Sequence, residues 1–209
     1  MATQPRQEPT PALDMKKVEN FLHKFVNDLG AGMCAALTLA GEKLGLYKAL
    51  ADAGPITPAE LASRTSTDER YVREWLCAQA ANGYVEYDAK TGKFFFPAEH
   101  ALLLANEDGP AYIPGAFHLL SSMFRDEHKI SEAFRSGDGV GWHEHHASLF
   151  EGTEKFFRPT YLHNLTAQWI PALHGVEEKL KAGAAVADVG CGHGASAIVM
   201  AQTYPNCSI

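Results

Sequence analysis

The stretch AAVADVGCGHGASAIVM, residues 184–200, constrains the fold more than any other part of this chain. An apolar run leads into Asp188, three alternating glycines follow, and a small apolar segment comes next. This order predicts a buried strand, a tight turn and a helix, which together open a doubly wound α/β domain. Glycines suit such a turn because a side chain there would occupy the space of a ligand.

Two cofactor interpretations compete for this loop. Gly190-x-Gly192-x-x-Ala195 satisfies the dinucleotide pattern G-x-G-x-x-G/A. Asp188, however, stands two residues before the first glycine, where a carboxylate would oppose the pyrophosphate of NAD or FAD. S-adenosylmethionine has no phosphate and carries an ammonium and a sulfonium. The charge argument therefore favours S-adenosylmethionine.

The N-terminal third is predicted to be helical. Asp14 is a candidate N-cap for a first helix with apolar residues at helical spacing, and Gly30 with Gly32 is expected to end it. A second helix follows in MCAALTLAGEKLGLYKAL. Because that helix is apolar nearly all round, we expect it to be central or buried against a partner chain.

The next segment predicts a winged helix. Thr57, Pro58 and Glu60 form a capping box with a first-turn proline, and a longer helix is expected to begin after Thr67. YVEYDAKTGKFFF then predicts two strands around a Lys-Thr-Gly turn. Helix, short helix, turn, helix and hairpin is the order of a winged helix-turn-helix.

VADVGCGHG resembles motif I of the class I S-adenosylmethionine-dependent methyltransferases, and the winged helix upstream is similar to the N-terminal domain of their O-methyltransferase members. The resemblance implies that Asp188 lies near the methionyl amino group and that Gly190, Gly192 and Gly194 form the loop beneath the methionyl and ribose parts. It also implies methyl transfer to a small-molecule acceptor and a homodimer through the helices of residues 14–50.

We therefore expect a mostly α fold with a winged-helix hairpin, followed by the incomplete opening β-α unit of a Rossmann-like domain. Such a domain normally continues well past one strand and one helix, so the chain is expected to be an N-terminal fragment, inactive alone. The catalytic base is not identified. The expected divisions are a disordered tail (1–13), a helical dimerisation and winged-helix domain (14–105), a helical linker or substrate cap (106–180) and the start of the cofactor domain (181–209).

The composition narrows the class of protein. A formal net charge of −7 and a pI near 5.8 argue against non-specific binding to nucleic acid or to an anionic membrane. The four cysteines form no C-x-x-C pair, which favours free thiols in a reducing compartment. No run approaches the roughly 18 apolar residues of a membrane span. We expect a cytoplasmic protein.

The sequence WHEHH places His143, Glu144, His145 and His146 together. Their spacing differs from that of helical zinc motifs, and no metal is expected. Three interpretations stay open: a polar loop near the substrate entrance, a histidine acting as general base, and a metal site. The aromatic-rich stretch from Tyr112 to Trp169 is expected to be core or a pocket wall.

Two other functions compete with methyl transfer. The first is a winged-helix DNA-binding regulator, but the candidate recognition helix TDERYVREWLCAQAAN carries two arginines against three acidic residues, whereas a DNA-reading helix is basic. The second is an NAD-dependent oxidoreductase, which the dinucleotide pattern of the glycine loop allows.

Overall fold

The computed structural model of the chain describes residues 13–209. The predicted disordered tail, residues 1–13, lies outside this range except for Leu13. Two short strands stand among helices, which confirms the mostly α fold with a winged-helix hairpin. The elements are α1 (Met15–Lys43), α2 (Leu46–Ala51), α3 (Pro58–Thr65), α4 (Glu69–Ala81), β1 (Glu86–Asp88), β2 (Lys93–Phe95), α5 (Ala98–Leu104), α6 (Gly115–Arg125), α7 (Glu127–Ser136), a 3₁₀ turn (Trp142–Glu144), α8 (Ala147–Thr160), a π-helix (Tyr161–Trp169), α9 (Val176–Ala182) and α10 (Ala195–Thr203).

Helix α1 is continuous over 29 residues, so the prediction that Gly30 and Gly32 end a first helix is wrong. A glycine inside a helix costs only about 0.5–1 kcal/mol relative to alanine, which a long helix tolerates. The C-terminal part of α1 buries Cys34, Ala35 and Thr38. Even α1 is not apolar enough to cross a membrane, and the same holds for every helix between residues 13 and 209.

The winged helix is built on one apolar core. The capping box predicted at Thr57 and Glu60 is present, whereas the N-cap of α4 is Asp68 and not Thr67. Asp68 takes this place because its carboxylate accepts the first free N–H groups of α4. Buried side chains from α2 to α5, the hairpin and the residues next to them fill the core: Leu46, Tyr47, Leu50, Ile56, Leu61, Val72, Trp75, Leu76, Val85, Phe94, Phe96 and Leu104.

The hairpin pairs antiparallel in the register Glu86–Phe95, Tyr87–Phe94 and Asp88–Lys93. Ile56 adds a bridge on the other side, because its N–H and C=O both bond to Phe94 at 2.8 Å.

The glutamate at the end of α1 joins three helices. Glu42 accepts hydrogen bonds from His118 Nε2 of α6 at 3.0 Å and from the Lys155 ammonium of α8. The Tyr112 hydroxyl lies 3.4 Å from the same carboxylate. Burial alone would raise the pKa of Glu42, but the bonds from His118 and Lys155 outweigh it and lower the pKa from 4.5 to about 2. The carboxylate is therefore ionised at neutral pH.

Helices α6 and α8 approach closely at two glycines. A Cβ on Gly152 would lie 2.8 Å from the carbonyl oxygen of Gly115 and 2.8 Å from the backbone nitrogen of Leu119. No side chain fits there without moving backbone, so glycine is required by the helix contact. This contact brings His118 and Lys155 to the two carboxylate oxygens of Glu42.

The C-terminal segment has a small core of its own, in which Ile170, Leu180 and Tyr204 are buried. The predicted buried strand near residues 184–190 is present only as an extended segment with one parallel bridge, Ala185 to Ser208. Alternate residues of this segment are exposed, since a strand is buried only when both faces are covered. The helix predicted after it is α10.

We expect Gly152→Ala to lower the free energy of unfolding by about 1–3 kcal/mol, because the new methyl group overlaps the backbone of α6. Gly30→Ala is the matched control, since its Cβ would meet no atom within 4 Å. It should raise stability by up to about 1 kcal/mol through helix propensity. Urea unfolding followed by circular dichroism measures both, and equal effects would contradict the close contact.

Acid should remove the stabilisation that Glu42 provides. Its folded-state pKa lies below its unfolded value, so the contribution is complete above about pH 4.5 and is lost as the pH falls towards 2. The stability difference between the wild type and Glu42→Gln should therefore shrink between these pH values, by about 3 kcal/mol at most. Glu19→Gln, an exposed change on the same helix, should show no such pH dependence in urea titrations.

Candidate functional site

The glycine loop adopts a conformation that only glycine takes easily. The φ angles of Gly190, Gly192 and Gly194 are 77°, 55° and 79°, all in the left-handed region. A Cβ at any of the three would meet no atom within 4 Å, so the space above the loop is open. The backbone conformation, and not crowding by the protein, therefore accounts for the glycines, and a ligand can come close to this backbone.

Asp188 is held at the entrance of the loop. Its Oδ2 accepts a hydrogen bond at 2.5 Å from the hydroxyl of Ser196, which lies in the first turn of α10. The bond engages one carboxylate oxygen and fixes the side chain against the helix N-terminus. The first turn of α10 also presents backbone N–H groups that have no partner within the helix. The loop thus offers an oriented carboxylate beside free donors.

The donor set suits S-adenosylmethionine better than a dinucleotide. The carboxylate of Asp188 can accept a hydrogen bond from the methionyl ammonium, and the N–H groups at the start of α10 can donate to the methionyl carboxylate. A pyrophosphate would meet the negative charge of Asp188. The residues present therefore fit the cofactor that the sequence favours.

An aromatic cavity of about 550 Å³ opens directly onto the glycine loop. Residues from the 3₁₀ turn, α8 and the π-helix form one wall, and Gly190 to His193 with Ala195 form the other. The aromatic side chains are mutually packed: Trp142 stands edge-on to Phe150 at 5.4 Å, and Phe157 stacks with Tyr161 at 6.4 Å. The predicted pocket wall in the aromatic stretch is therefore formed by these four residues.

The cavity wall coincides with a change of helix type. Pro159 lies near the end of α8, where it provides no N–H to the helix, and the chain continues as a π-helix from Tyr161. π-Helical segments are rare and are frequently found at functional sites. Here the π-helix carries Tyr161 and packs against α10. The π-helix ends at Trp169, and Ile170 and Pro171 form a turn.

The histidine-rich loop is fastened to Asp126, at the corner between α6 and α7. The carboxylate accepts hydrogen bonds from the His146 backbone N–H at 2.8 Å and from His145 Nδ1 at 3.1 Å. Lys129 adds an ion pair at 3.2 Å. The His146 bond is the main cause that lowers the pKa of Asp126 to about 2, against the effect of burial. Glu144 instead accepts from the backbone N–H of Gly141.

These contacts give Glu144, His145 and His146 structural partners. His146 caps α8 and lies 2.9 Å from the Arg125 guanidinium. Across residues 13–209, no three side chains of His, Cys, Asp or Glu are arranged to hold a metal ion. The loop also carries Trp142 into the aromatic cavity, which places it at the candidate site.

Sequence reasoning missed Ser196 at the site and the buried cluster that holds α8. Ser196 was not predicted as a site residue. Its position, eight residues after Asp188 and in the first turn of the predicted helix, is a signal that could have identified it. Glu42, His118 and Lys155 carry no local signal, because they are 76 and 37 residues apart along the chain. Only the packing of α6 on α8 brings them together.

Comparison with known proteins shows which folds the chain resembles. Residues 32–106 match the family model described as the Rv2258c-like winged HTH domain. No protein of curated function matches the chain in sequence. Among solved structures, the mitomycin 7-O-methyltransferase MmcR is 20% identical with a TM-score of 0.60 and covers 92% of this chain.

Two further structures are similar. PigF with SAH is 19% identical with a TM-score of 0.58, and human N-acetylserotonin methyltransferase in complex with SAM is 19% identical with a TM-score of 0.56. Each covers 90% of this chain.

This chain spans only 57–58% of the three solved chains. At these identities the likeness concerns the fold. Residues 32–106 are therefore similar to the Rv2258c-like winged HTH domain, and the chain shares its fold with more than half of each of these methyltransferase structures.

Proposed function

We propose that this chain carries part of the active site of an S-adenosylmethionine-dependent methyltransferase that acts on a small molecule. The observation that carries the proposal is the juxtaposition of the Asp188 glycine loop with the aromatic cavity. The loop provides a cofactor-type backbone, and the cavity provides a walled space of small-molecule size beside it. The similarity in fold to solved methyltransferases supports the same function.

In this proposal Asp188, Gly190, Gly192 and Gly194 bind the cofactor. S-adenosylmethionine, when bound, supplies an electrophilic methyl group on a sulfonium. Asp188, oriented by Ser196, accepts a hydrogen bond from the methionyl ammonium, and the three glycines let the ligand approach the backbone. The parallel bridge between Ala185 and Ser208 with α10 between them supports the opening unit of a Rossmann-like domain.

The aromatic walls would hold the methyl acceptor. Trp142, Phe150, Phe157 and Tyr161 exclude water and limit the orientations of a bound molecule. Methyl transfer is an in-line displacement, so alignment of the acceptor atom with the methyl group provides much of the rate.

The contacts of the two arginines on α4 do not favour the competing DNA-binding function. Arg73 pairs with Glu69, and Arg70 lies over the ring of the exposed Tyr71 at 4.9 Å. Tyr71 is exposed because Val72, Trp75 and Leu76 take the buried face of the helix. Both arginines are thus engaged within the helix.

We also propose that the chain forms a homodimer through α1. The N-terminal part of this helix exposes an apolar stripe at helical spacing, formed by Val18, Phe21, Leu22, Phe25, Val26, Leu29 and Met33. Phe21 alone is 69% exposed. A contiguous apolar stripe of this size is typical of a protein interface, because covering it removes apolar surface from water.

Asp188→Asn should weaken S-adenosylmethionine binding by about 10- to 100-fold, because a charge-assisted hydrogen bond to the ammonium is lost. Binding of labelled S-adenosylmethionine is measured by equilibrium dialysis on the full chain. Asp52→Asn, an exposed change in the winged helix, is the matched control. Tighter binding of NADH than of S-adenosylmethionine by the wild type would refute the proposed cofactor.

Phe25→Glu should convert the dimer to a monomer, because it places a charge within the apolar stripe. The matched control is Asn27→Glu, which lies on the opposite face of α1 and should leave the dimer intact. Sedimentation velocity reports the mass of each variant. A monomeric wild type, or dissociation by both changes, would contradict the assigned interface.

A further inference from the structure

A second cavity, of about 290 Å³, lies where the winged helix meets α6. Its wall combines the turn after α4 (Asn82, Gly83, Tyr84), one face of α5 and the start of α6. Of the residues that the structure describes, none lines both this cavity and the aromatic one. The second cavity is therefore a separate place for a ligand.

Backbone hydrogen bonds hold this wall together. The N–H of Ile113, just before α6, donates to the carbonyl of Leu103 at 3.0 Å. On the other side, the N–H of Tyr84 donates to the carbonyl of Gln79 at 2.9 Å, and Gly83 takes a left-handed φ of 75° in the turn. These bonds connect α5 to the start of α6 and fix the turn after α4, so the cavity is formed before a ligand binds.

Most of the wall is apolar, and part of it is in contact with solvent. Leu103 and Leu104 follow His100 by three and four residues, so the three side chains share one face of α5. Leu103 is 36% exposed and Ile113 is 41% exposed. A ligand that covers them would remove apolar surface from water.

The volume of the cavity limits the size of this ligand. An apolar cavity of about 150 Å³ holds benzene. The second cavity, at about 290 Å³, therefore has room for one aromatic ring with short substituents.

The imidazole of His100 adds an oriented polar group to the apolar wall. Its Nδ1 donates a hydrogen bond at 2.9 Å to the carbonyl of Tyr84, which fixes the ring. Its Nε2 has no partner within residues 13–209, and it is accessible, since the buried side-chain atoms without a partner there belong to Gln79 and His118. Nε2 accepts a hydrogen bond when the ring is neutral and donates one when it is charged. A ligand hydroxyl can do either, so it suits both states of His100.

We propose that this cavity binds a one-ring phenol, with the ring among Leu103, Ile113 and Phe117 and the hydroxyl at His100 Nε2. The apolar wall favours the ring, and His100 favours the hydroxyl. This site goes beyond the proposed methyl transfer and does not depend on the cofactor.

The test uses the full chain without cofactor, with leucine and isoleucine methyl groups labelled for NMR. The probes are 4-methylphenol and p-xylene, in which a methyl group replaces the hydroxyl. 4-Methylphenol should shift the methyl signals of Ile113 and Leu103 in a saturable titration. His100→Phe keeps a ring in the wall and removes the hydrogen bond. It should therefore lower the affinity for 4-methylphenol, relative to that for p-xylene, by about three- to tenfold. His128→Phe, an exposed change on α7, is the matched control and should leave this ratio unchanged.

A second variant keeps the test independent of whether His100→Phe folds. Leu103→Trp fills the cavity and should abolish the effect of both probes on Ile113. An Ile113 signal that 4-methylphenol does not move, or a ratio that His100→Phe does not change, would overturn the site. So would an Ile113 signal that depends on protein concentration and not on the probes, because a second copy would then cover this face. A failed S-adenosylmethionine titration with a positive 4-methylphenol result would remove the proposed function and keep this site.

Discussion

The arrangement of the molecule depends on the buried carboxylate of Glu42. It lies at the end of α1, where the winged helix begins, and it binds groups from α6 and α8. A buried charge is tolerated only when donors surround it, so the three helices are held to one relative position. Removing one partner would leave an uncompensated charge, which is why the cluster acts as a unit.

The glycine contact between α6 and α8 makes this carboxylate cluster possible. With Gly115 against Gly152, the two helix backbones approach closely enough for His118 and Lys155 to reach one side chain. Helix α8 is then fixed, and its other side presents Phe150 and Phe157 to the glycine loop. The winged helix and the candidate site are thus connected through the packing of α1, α6 and α8.

The sequence predicted the features that depend on neighbouring residues. The capping box at Thr57, the hairpin and the left-handed glycines after Asp188 follow from local patterns, and so does the helix that carries Ser196. The continuity of α1 was not predicted. Glycine has a low helix propensity, and the sequence around Gly30 does not show that the helix on either side is long enough to continue through it. The Glu42 cluster and the aromatic cavity depend on contacts between residues far apart along the chain, which one sequence cannot show.

Contacts between distant residues also determine the role of the histidine-rich loop. The sequence left open a metal site or a general base, whereas in the structure His145 and His146 both bond to Asp126. With the backbone fastened at this point, Trp142 lies edge-on to His145 at 6.1 Å and to Phe150 at 5.4 Å. Trp142 is 63% exposed, so packing alone would not hold it in place. The acidic corner at Asp126 therefore contributes to the site by fixing the aromatic wall, just as Glu42 fixes the helix behind it.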